Sequence, residues 1–479
     1  MLSRQDNELL TRTGAGTAMG DFFRRFWQPV LLSRELPEPD CAPKRVQIMG
    51  ESLLAFRDSN GRVGLVEPRC PHRGADLYFG RNGECGLRCV FHGWKFDVDG
   101  KCLETPTLPP ESNFKDKVSI KAYPTREWGE VIWAYMGPAA RMPELPHLEF
   151  ALLPASQRFV TKKLQECNWA QSVEGGIDTA HFSFLHMVVP QAAAEAERFM
   201  QGAAMGDQAV KNDRVRWVRD DPMPRFEVVQ HPAGLLIGAA RTADHDQLYW
   251  RITQFLVPNH SYAPAAFPGE THYGQTWVPI DDTSCWIYTY SWHPERPFTA
   301  QEREQFANGH GVHGVVDENF IPVRNRANEY LIDREEQRWR SYSGIKGVAE
   351  QDASIQDSQG LIHDRTREIL GPTDLGIMRF RRLMLEGAKG LQDGREPPEA
   401  SHPDAYTVRS GGWVTHRDRK LADVMTERFG HCWGRVTPVT HRPEGPAHAA
   451  NTVIPSVSRD LPMQAHGASS SRDPSLRSG

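Results

Sequence analysis

Two short stretches of the sequence each combine a cysteine with a histidine at close spacing. Cys70 and His72 are separated by one proline, and Cys89 and His92 follow in a second arm after sixteen intervening residues. Thiolates and imidazoles are ligands for zinc, copper and iron in proteins. Four such side chains in two matched arms therefore predict a bound transition metal.

The distribution of the four ligands favours one kind of metal site. A mononuclear zinc site of the Cys₂His₂ type needs the same ligands, but zinc fingers usually keep the cysteines on one arm and the histidines on the other. In a Rieske [2Fe–2S] centre, two histidines replace two cysteines on one iron. The mixed arms favour this cluster, and with it electron transfer. Cys85 and Cys102 complete no all-cysteine pattern and are interpreted as structural thiols.

A second group of metal-binding residue types lies about ninety residues downstream. His181 and His186 are five residues apart, and Asp178 precedes His181 by three. On a regular helix, residues five apart point about 140° away from each other. A predicted helix over 167–187 therefore needs a π-bulge for the histidines to converge. An isolated pair of this kind would be read as ordinary helix residues. Two histidines and one carboxylate, however, leave positions on Fe(II) open for dioxygen.

The elements around these residues predict an α+β fold. An amphipathic pattern over 14–27 predicts a helix. Short β-prone segments from residue 28, with turns at Asp58–Gly61 and Asp97–Gly100, predict an antiparallel β domain over 28–140. Residues 141–436 predict a twisted antiparallel sheet that encloses a cavity and is flanked by helices, including long helices from Thr299 to about Trp339. The composition of 437–479 predicts disorder.

Composition and charge exclude several classes of function. Of the 479 residues 39% are apolar, and 61 acidic against 56 basic side chains leave a net charge of −5, which suggests neither a nucleic-acid nor a membrane partner. No apolar run approaches the roughly 20 residues that span a bilayer. Eight cysteines are few for a disulfide scaffold. A cytoplasmic location is expected.

Together these motifs resemble a known family. Cys70-Pro-His-Arg-Gly74, Cys89-Val-Phe-His-Gly-Trp94 and the Asp178/His181/His186 pattern are similar to the oxygenase (alpha) subunit of the Rieske non-haem iron ring-hydroxylating oxygenases. Glu174, where many members carry asparagine, and the run 355–365 resemble the phthalate dioxygenase and aromatic-carboxylate subgroup. The resemblance implies a Rieske domain followed by a helix-grip, START-like catalytic domain, with one [2Fe–2S] cluster and one mononuclear Fe(II).

The resemblance also implies roles for particular residues. The cluster ligands would be Cys70, His72, Cys89 and His92. His181 and His186 would hold the mononuclear iron with an aspartate from a later helix, for which we choose Asp352 over Asp357. Asp178 would bridge a cluster histidine of one subunit to an iron ligand of its neighbour. Such bridging implies a cyclic homo-oligomer, a trimer or stacked trimers.

The implied activity is dihydroxylation of an aromatic carboxylate, such as a phthalate or a substituted benzoate, with O₂. Electrons would come from a separate NAD(P)H-dependent flavin and iron–sulfur reductase, because the sequence has no dinucleotide-binding glycine fingerprint. A Rieske monooxygenase that hydroxylates or O-demethylates an aryl ether is the alternative within the family. A Rieske electron-transfer protein is the alternative outside it.

A buried substrate carboxylate needs hydrogen-bond donors or a cation. Ser183, between the two histidines, and Arg241, at the end of an apolar strand, are the predicted substrate contacts. Arg214 and Arg251 are weaker candidates. The alternative for Arg241 is an ordinary ion-paired or surface residue.

Overall fold

The computed structural model describes residues 1–189, 213–264, 266–267, 269–421 and 423–424. The predicted disordered tail, 437–479, lies outside these residues. None of the described helices has both the length and the apolar character needed to cross a membrane.

Helices and strands follow one another in a mixed order along the chain. The helices are α1 Arg4–Thr11, α2 Ala18–Phe23, α3 Glu149–Leu152, α4 Trp169–Ile177, α5 Asp213–Asp220, α6 Ala300–Ala307, α7 Arg334–Trp339, α8 Val348–Ser358 and α9 Leu375–Gln392. The strands are β1 Trp27–Leu32, β2 Lys44–Ile48, β3 Glu51–Arg57, β4 Val63–Val66, β5 Arg81–Gly83, β6 Gly86–Arg88, β7 Lys95–Phe96, β8 Cys102–Glu104, β9 Ala122–Tyr123, β10 Thr125–Trp128, β11 Val131–Tyr135, β12 Arg158–Gln165, β13 Arg225–His231, β14 Gly234–Thr242, β15 Gln247–Leu256, β16 His260–Tyr262, β17 His272–Pro279, β18 Cys285–Trp292 and β19 Gly411–His416.

The N-terminal strands form three small antiparallel sheets. Their strand orders are β1-β11-β10, β2-β3-β4-β9 and β5-β6-β7-β8. The predicted turns close the hairpins β3–β4 and β7–β8, and Gly61 and Gly100 at their ends have φ of 79° and 77°, a conformation that glycine adopts without strain. The antiparallel β domain predicted after residue 28 is therefore confirmed.

A fourth, larger sheet forms the frame of the rest of the chain. Its order is β12-β18-β17-β16-β15-β14-β13, with β19 paired to β15. On the inner face Phe255 of β15 packs edge-on against Phe380 of α9, with ring centroids 4.8 Å apart. On the outer face Leu236 and Trp250 pack with Leu421. A sheet covered by helices on its inner face agrees with the predicted α+β class.

The helix predictions over 14–27 and from Thr299 to about Trp339 were wrong. In place of a helix over 14–27, α2 ends at Phe23 and Trp27 already begins β1. In place of long helices from Thr299, α6 and α7 are short and a loop separates them. Thr299 does cap α6 by accepting a hydrogen bond from the Glu302 N–H. The glycines at 309 and 311, both with φ above 70°, follow α6 directly and prevent its continuation.

Gly176 lies where α4 packs closely against the large sheet. A Cβ at this position would lie 2.4 Å from ring carbons of the buried Trp277, and overpacking of this kind costs about 1–3 kcal/mol. We therefore expect Gly176→Ala to lower the Tm by several degrees in a thermal melt. Gly14→Ala is the control, because a Cβ there meets nothing within 4 Å. Equal melting temperatures for the two variants would contradict the packing argument.

Candidate metal centres and their surroundings

The two Cys/His arms have the same backbone geometry. In each arm the cysteine N–H donates to the carbonyl five residues on, and the glycine four residues on donates back to the cysteine carbonyl, all at 2.8 or 2.9 Å. These glycines, Gly74 and Gly93, have φ of 71° and 75°, which glycine tolerates best. The arms are thus two copies of one tight loop, at β4–β5 and β6–β7, that present their ligands side by side.

The four side chains of the arms are arranged with sulfur inside and imidazole outside. Cys70 and Cys89 are buried, at 2% and 3% exposure, and burial raises the pKa of the Cys70 thiol to about 11. The rings of His72 and His92 are half-buried, with centroids 4.3 Å apart. His72 stacks on Trp94, and its Nδ1 is buried without a hydrogen-bond partner. A buried ring nitrogen without a partner, in a loop that also carries a buried thiol, fits a metal cluster.

The downstream group of candidate metal ligands is the more compact of the two. Among the residues that the structure describes, His181, His186 and Asp352 form the one group of three whose donor atoms all lie within 4.8 Å of one another. The two Nε2 atoms are 3.0 Å apart, and Asp352 Oδ1 lies 3.1 Å from His186 Nε2 and 3.4 Å from His181 Nε2. Bonds of about 2.1 Å at right angles place donors about 3 Å apart. The triad therefore fits one face of an octahedral metal ion.

The remaining ring nitrogens of the triad histidines have their own partners. His181 Nδ1 lies 3.2 Å from Asp178 Oδ2, and His186 Nδ1 lies 2.7 Å from Gln351 Oε1. Burial disfavours a charged imidazole, but the contacts with Asp178 and Asp352 prevail and raise the pKa of His181 to about 10. Both Nε2 atoms are left facing the point where a metal would sit.

A break in the chain brings the two histidines together. The predicted helix over 167–187 ends at Ile177, and Asp178 is extended, with φ −73° and ψ 126°. Its Oδ1 accepts a hydrogen bond from the Ala180 N–H at 2.7 Å, a local turn that competes with helix continuation. A short 3₁₀ turn from His181 to Ser183 follows. The predicted π-bulge was therefore wrong, because a cap and a new turn provide the convergence.

Asp357 lies away from the triad. Its carboxylate accepts hydrogen bonds from the Tyr330 hydroxyl and, at 2.5 Å, from the Gln165 amide. Burial raises the pKa of Asp357 above its ordinary value. Of the two aspartates considered, Asp352 is the one that the structure brings to the histidines.

Two of the predicted substrate contacts are engaged within the protein. The Ser183 hydroxyl donates to the Val218 carbonyl at 2.9 Å. Arg214 forms a two-pronged ion pair with Glu270, at 2.9 and 3.0 Å. These internal contacts satisfy both groups, so neither supports a role in substrate binding.

Arg241 and Arg251 are buried without an acidic partner. They lie on the inner face of β14 and β15, and both donate to Thr179 at 2.9 Å, Arg241 to its carbonyl and Arg251 to its hydroxyl. Arg241 is fully buried, and its Nε and one terminal nitrogen have no hydrogen-bond partner. Burial and the neighbouring Arg251 lower the pKa of Arg241 to about 10. No carboxylate of the described chain pairs with either residue, which is costly unless an anion binds.

Phe182 connects this arginine pair to the triad. Its ring centroid lies 4.9 Å from that of His186, and the Arg251 guanidinium carbon lies 4.3 Å from the same centroid. Thr179, which both arginines contact, is two residues from His181. The guanidinium of Arg251 therefore lies about one aromatic ring away from the candidate metal centre, and Arg241 reaches the same region through Thr179.

Comparison with known proteins identifies the family. The Rieske [2Fe-2S] domain model matches residues 26–124, and the model described as LigXa C-terminal domain like matches 134–409. The 3-chlorobenzoate-3,4-dioxygenase oxygenase subunit of Comamonas testosteroni is 36% identical over 90% of this chain and 99% of that protein. The phthalate 4,5-dioxygenase oxygenase subunit of Pseudomonas putida is 38% identical over 82% and 88%. The chain belongs to the Rieske oxygenase family.

The fold of this Rieske oxygenase agrees with that assignment. The crystal structure of dicamba monooxygenase bound to dicamba covers 78% of this chain and 100% of its own, with a TM-score of 0.53 at 18% identity. As a family member the chain is an oxidoreductase with a Rieske [2Fe–2S] cluster and a mononuclear non-haem iron. The unpartnered His72 nitrogen and the spacing of the triad show that its residues fit both groups.

Glu174 has a structural role that the sequence did not indicate. Its carboxylate accepts from Arg365 at 2.9 and 3.0 Å and from Arg381 at 2.7 Å, and Arg381 also pairs with Glu368. Burial alone would raise the pKa of Glu174, but the two guanidinium groups lower it below its ordinary value. The charged network fixes the last turn of α4, directly before Asp178.

Replacing Glu174 with the asparagine of many family members should destabilise this oxygenase. Glu174→Asn leaves Arg365 buried without a carboxylate, and breaking a buried pair costs about 3–5 kcal/mol. We expect a clear fall in Tm. Glu386→Gln removes an exposed partner of Arg382, a type of pair worth at most about 1 kcal/mol, and is the control. A fall in Tm for Glu174→Asn that is as small as the fall for Glu386→Gln would be inconsistent with this role.

Proposed function

We propose that this chain is the oxygenase subunit of a multicomponent Rieske system that dihydroxylates an aromatic carboxylate with O₂. The observation that carries this proposal is Arg241, a fully buried cation with free N–H donors that is hydrogen-bonded to Thr179, two residues before His181. A benzoate or phthalate supplies the missing negative charge and an aromatic ring in one molecule. The chlorobenzoate and phthalate dioxygenase relatives support the same substrate class.

The proposed metal ligands follow from the two centres. Cys70 and Cys89 would hold one iron of the cluster, and His72 and His92 the other. His181, His186 and Asp352 would hold the mononuclear iron. When bound, these groups supply electron transfer and the activation of dioxygen.

The residues around the triad would bind and orient the substrate. Arg241 and Arg251 would form charge-assisted hydrogen bonds to the carboxylate, and Phe182 would pack against the ring between them and His186. Because both arginines are already held by Thr179, little side-chain entropy is lost when the substrate binds. The carboxylate thereby determines which ring edge faces the metal.

Electrons would enter from a separate NAD(P)H-dependent reductase and pass between subunits through Asp178. The outward histidine edge of the arms is flanked by Val90 and Phe91, which are 68% and 52% exposed. A groove of about 860 Å³ adjoins His181 and includes the exposed Phe184. Apolar surface at both places supports head-to-tail contact between copies, which closes into a ring such as a trimer.

Iron content tests the metal assignment. We expect about three irons per chain in the native protein, and about two in Asp352→Asn, because only the mononuclear site loses a ligand. Asp357→Asn is the matched control in the same helix and should keep all three. Two irons in the native protein would instead indicate an electron-transfer protein. A loss in Asp357→Asn equal to that in Asp352→Asn would reject the choice of ligand.

Substrate-triggered oxygen uptake tests the reaction and the role of Arg241. With a reductase supplied, benzoates or phthalates should stimulate uptake, and labelled dioxygen should place two oxygen atoms in the product. Arg241→Met should weaken carboxylate binding about 10- to 100-fold, since hydrogen bonds to charged groups contribute about 1.5–3 kcal/mol each. The exposed Arg225→Met, on β13, is the control. Unchanged carboxylate affinity in Arg241→Met would exclude Arg241 from the site.

A further inference from the structure

Gln351 contacts the triad from the side opposite the metal. It is the residue before Asp352 on α8 and is 7% exposed. Its Oε1 lies 2.7 Å from His186 Nδ1, and its Nε2 donates to the Ile345 carbonyl at 2.8 Å. The side chain is thus held at both ends of its amide.

These two contacts determine which ring nitrogen of a neutral His186 carries the hydrogen. A backbone carbonyl only accepts hydrogen bonds, so the end of the Gln351 amide that faces Ile345 must be the NH₂ group. The oxygen then faces His186 and must receive a proton from Nδ1. The neutral imidazole therefore carries its hydrogen on Nδ1, and its Nε2 lone pair faces the triad.

We propose that Gln351 is a positioning residue that fixes the ring orientation and tautomer of His186 for Fe(II) binding. This inference rests on the proposed iron ligands. The two histidines differ in their support, because His181 is held by the carboxylate of Asp178 and His186 by a neutral amide. A ligand histidine whose second nitrogen is held in this way binds metal more tightly, because its tautomer and orientation are set in advance.

Gln351 and Asp352, which are consecutive residues of α8, thereby hold the ring of His186 from both sides. Asp352 meets the Nε2 edge of His186 at 3.1 Å and Gln351 meets the Nδ1 edge. A rotation of the ring would break one contact or the other. The amide also ties α8 to the loop before it through Ile345, so a purely structural role for Gln351 is the competing explanation.

Two variants separate these roles. Gln351→Glu keeps an oxygen acceptor for His186 but loses the donor to Ile345, whereas Gln351→Leu loses both. Fe(II) affinity is measured by anaerobic chelator competition on full-length protein from which the mononuclear iron has been removed and the cluster retained. Gln359→Leu, at the exposed C-terminal end of the same helix, is the matched control.

If Gln351 positions His186, Gln351→Leu should raise the Kd for Fe(II) about 10- to 100-fold, while Gln351→Glu and Gln359→Leu stay close to the native value. A native Kd in Gln351→Leu, or equal losses in the Leu and Glu variants, would overturn the proposal. The measurement needs no substrate, so it does not depend on the aromatic carboxylate. Native protein that binds no third iron would instead reject the metal site itself.

Discussion

Three electron-rich donor atoms held within 3.0–3.4 Å of one another are the constraint on which the catalytic half of this protein depends. They come from chain segments more than 160 residues apart, so α4 and α8 must pack at close range. The Gln171 amide donates to the Gln356 carbonyl at 3.0 Å, and the Ser172 hydroxyl donates to the Gln356 side chain at the same distance. The large sheet serves as the surface on which both helices are aligned.

Two pairs of buried arginines show that the same residue type can have a structural role in one place and a ligand-binding role in another. Arg365 and Arg381 are balanced by Glu174 and Glu368, and their network holds backbone in place. The pair at Arg241 has no such balance within the described chain. Burial makes an unbalanced charge expensive, so fold stability alone does not account for its retention, whereas an anionic ligand does.

The sequence predicted local features well and packing features poorly. The mixed arms and the β3–β4 turn follow from short-range chemistry, and both appear as expected. Strand β12 was not predicted, because Lys162 and Lys163 resemble solvent-exposed residues yet are only 3% and 4% exposed. Lys162 pairs with Glu35 from a distant segment. The choice of Asp352 required the family resemblance, since no periodicity relates it to His181.

The contacts of α8 with His186 also limit how far this helix can shift along its axis. Neighbouring residues of a helix are 1.5 Å apart along its axis. A slip of α8 by that amount would move the Asp352 carboxylate by most of the roughly 2.1 Å length of a metal–ligand bond, and the three donor atoms would no longer fit one metal ion. The close approach of Gly175 to the Gln356 side chain, where even a methyl group would lie 2.2 Å from the amide nitrogen, keeps the helix in register. The position of the carboxylate ligand is thus maintained by a close contact between two helices that lies outside the metal site itself.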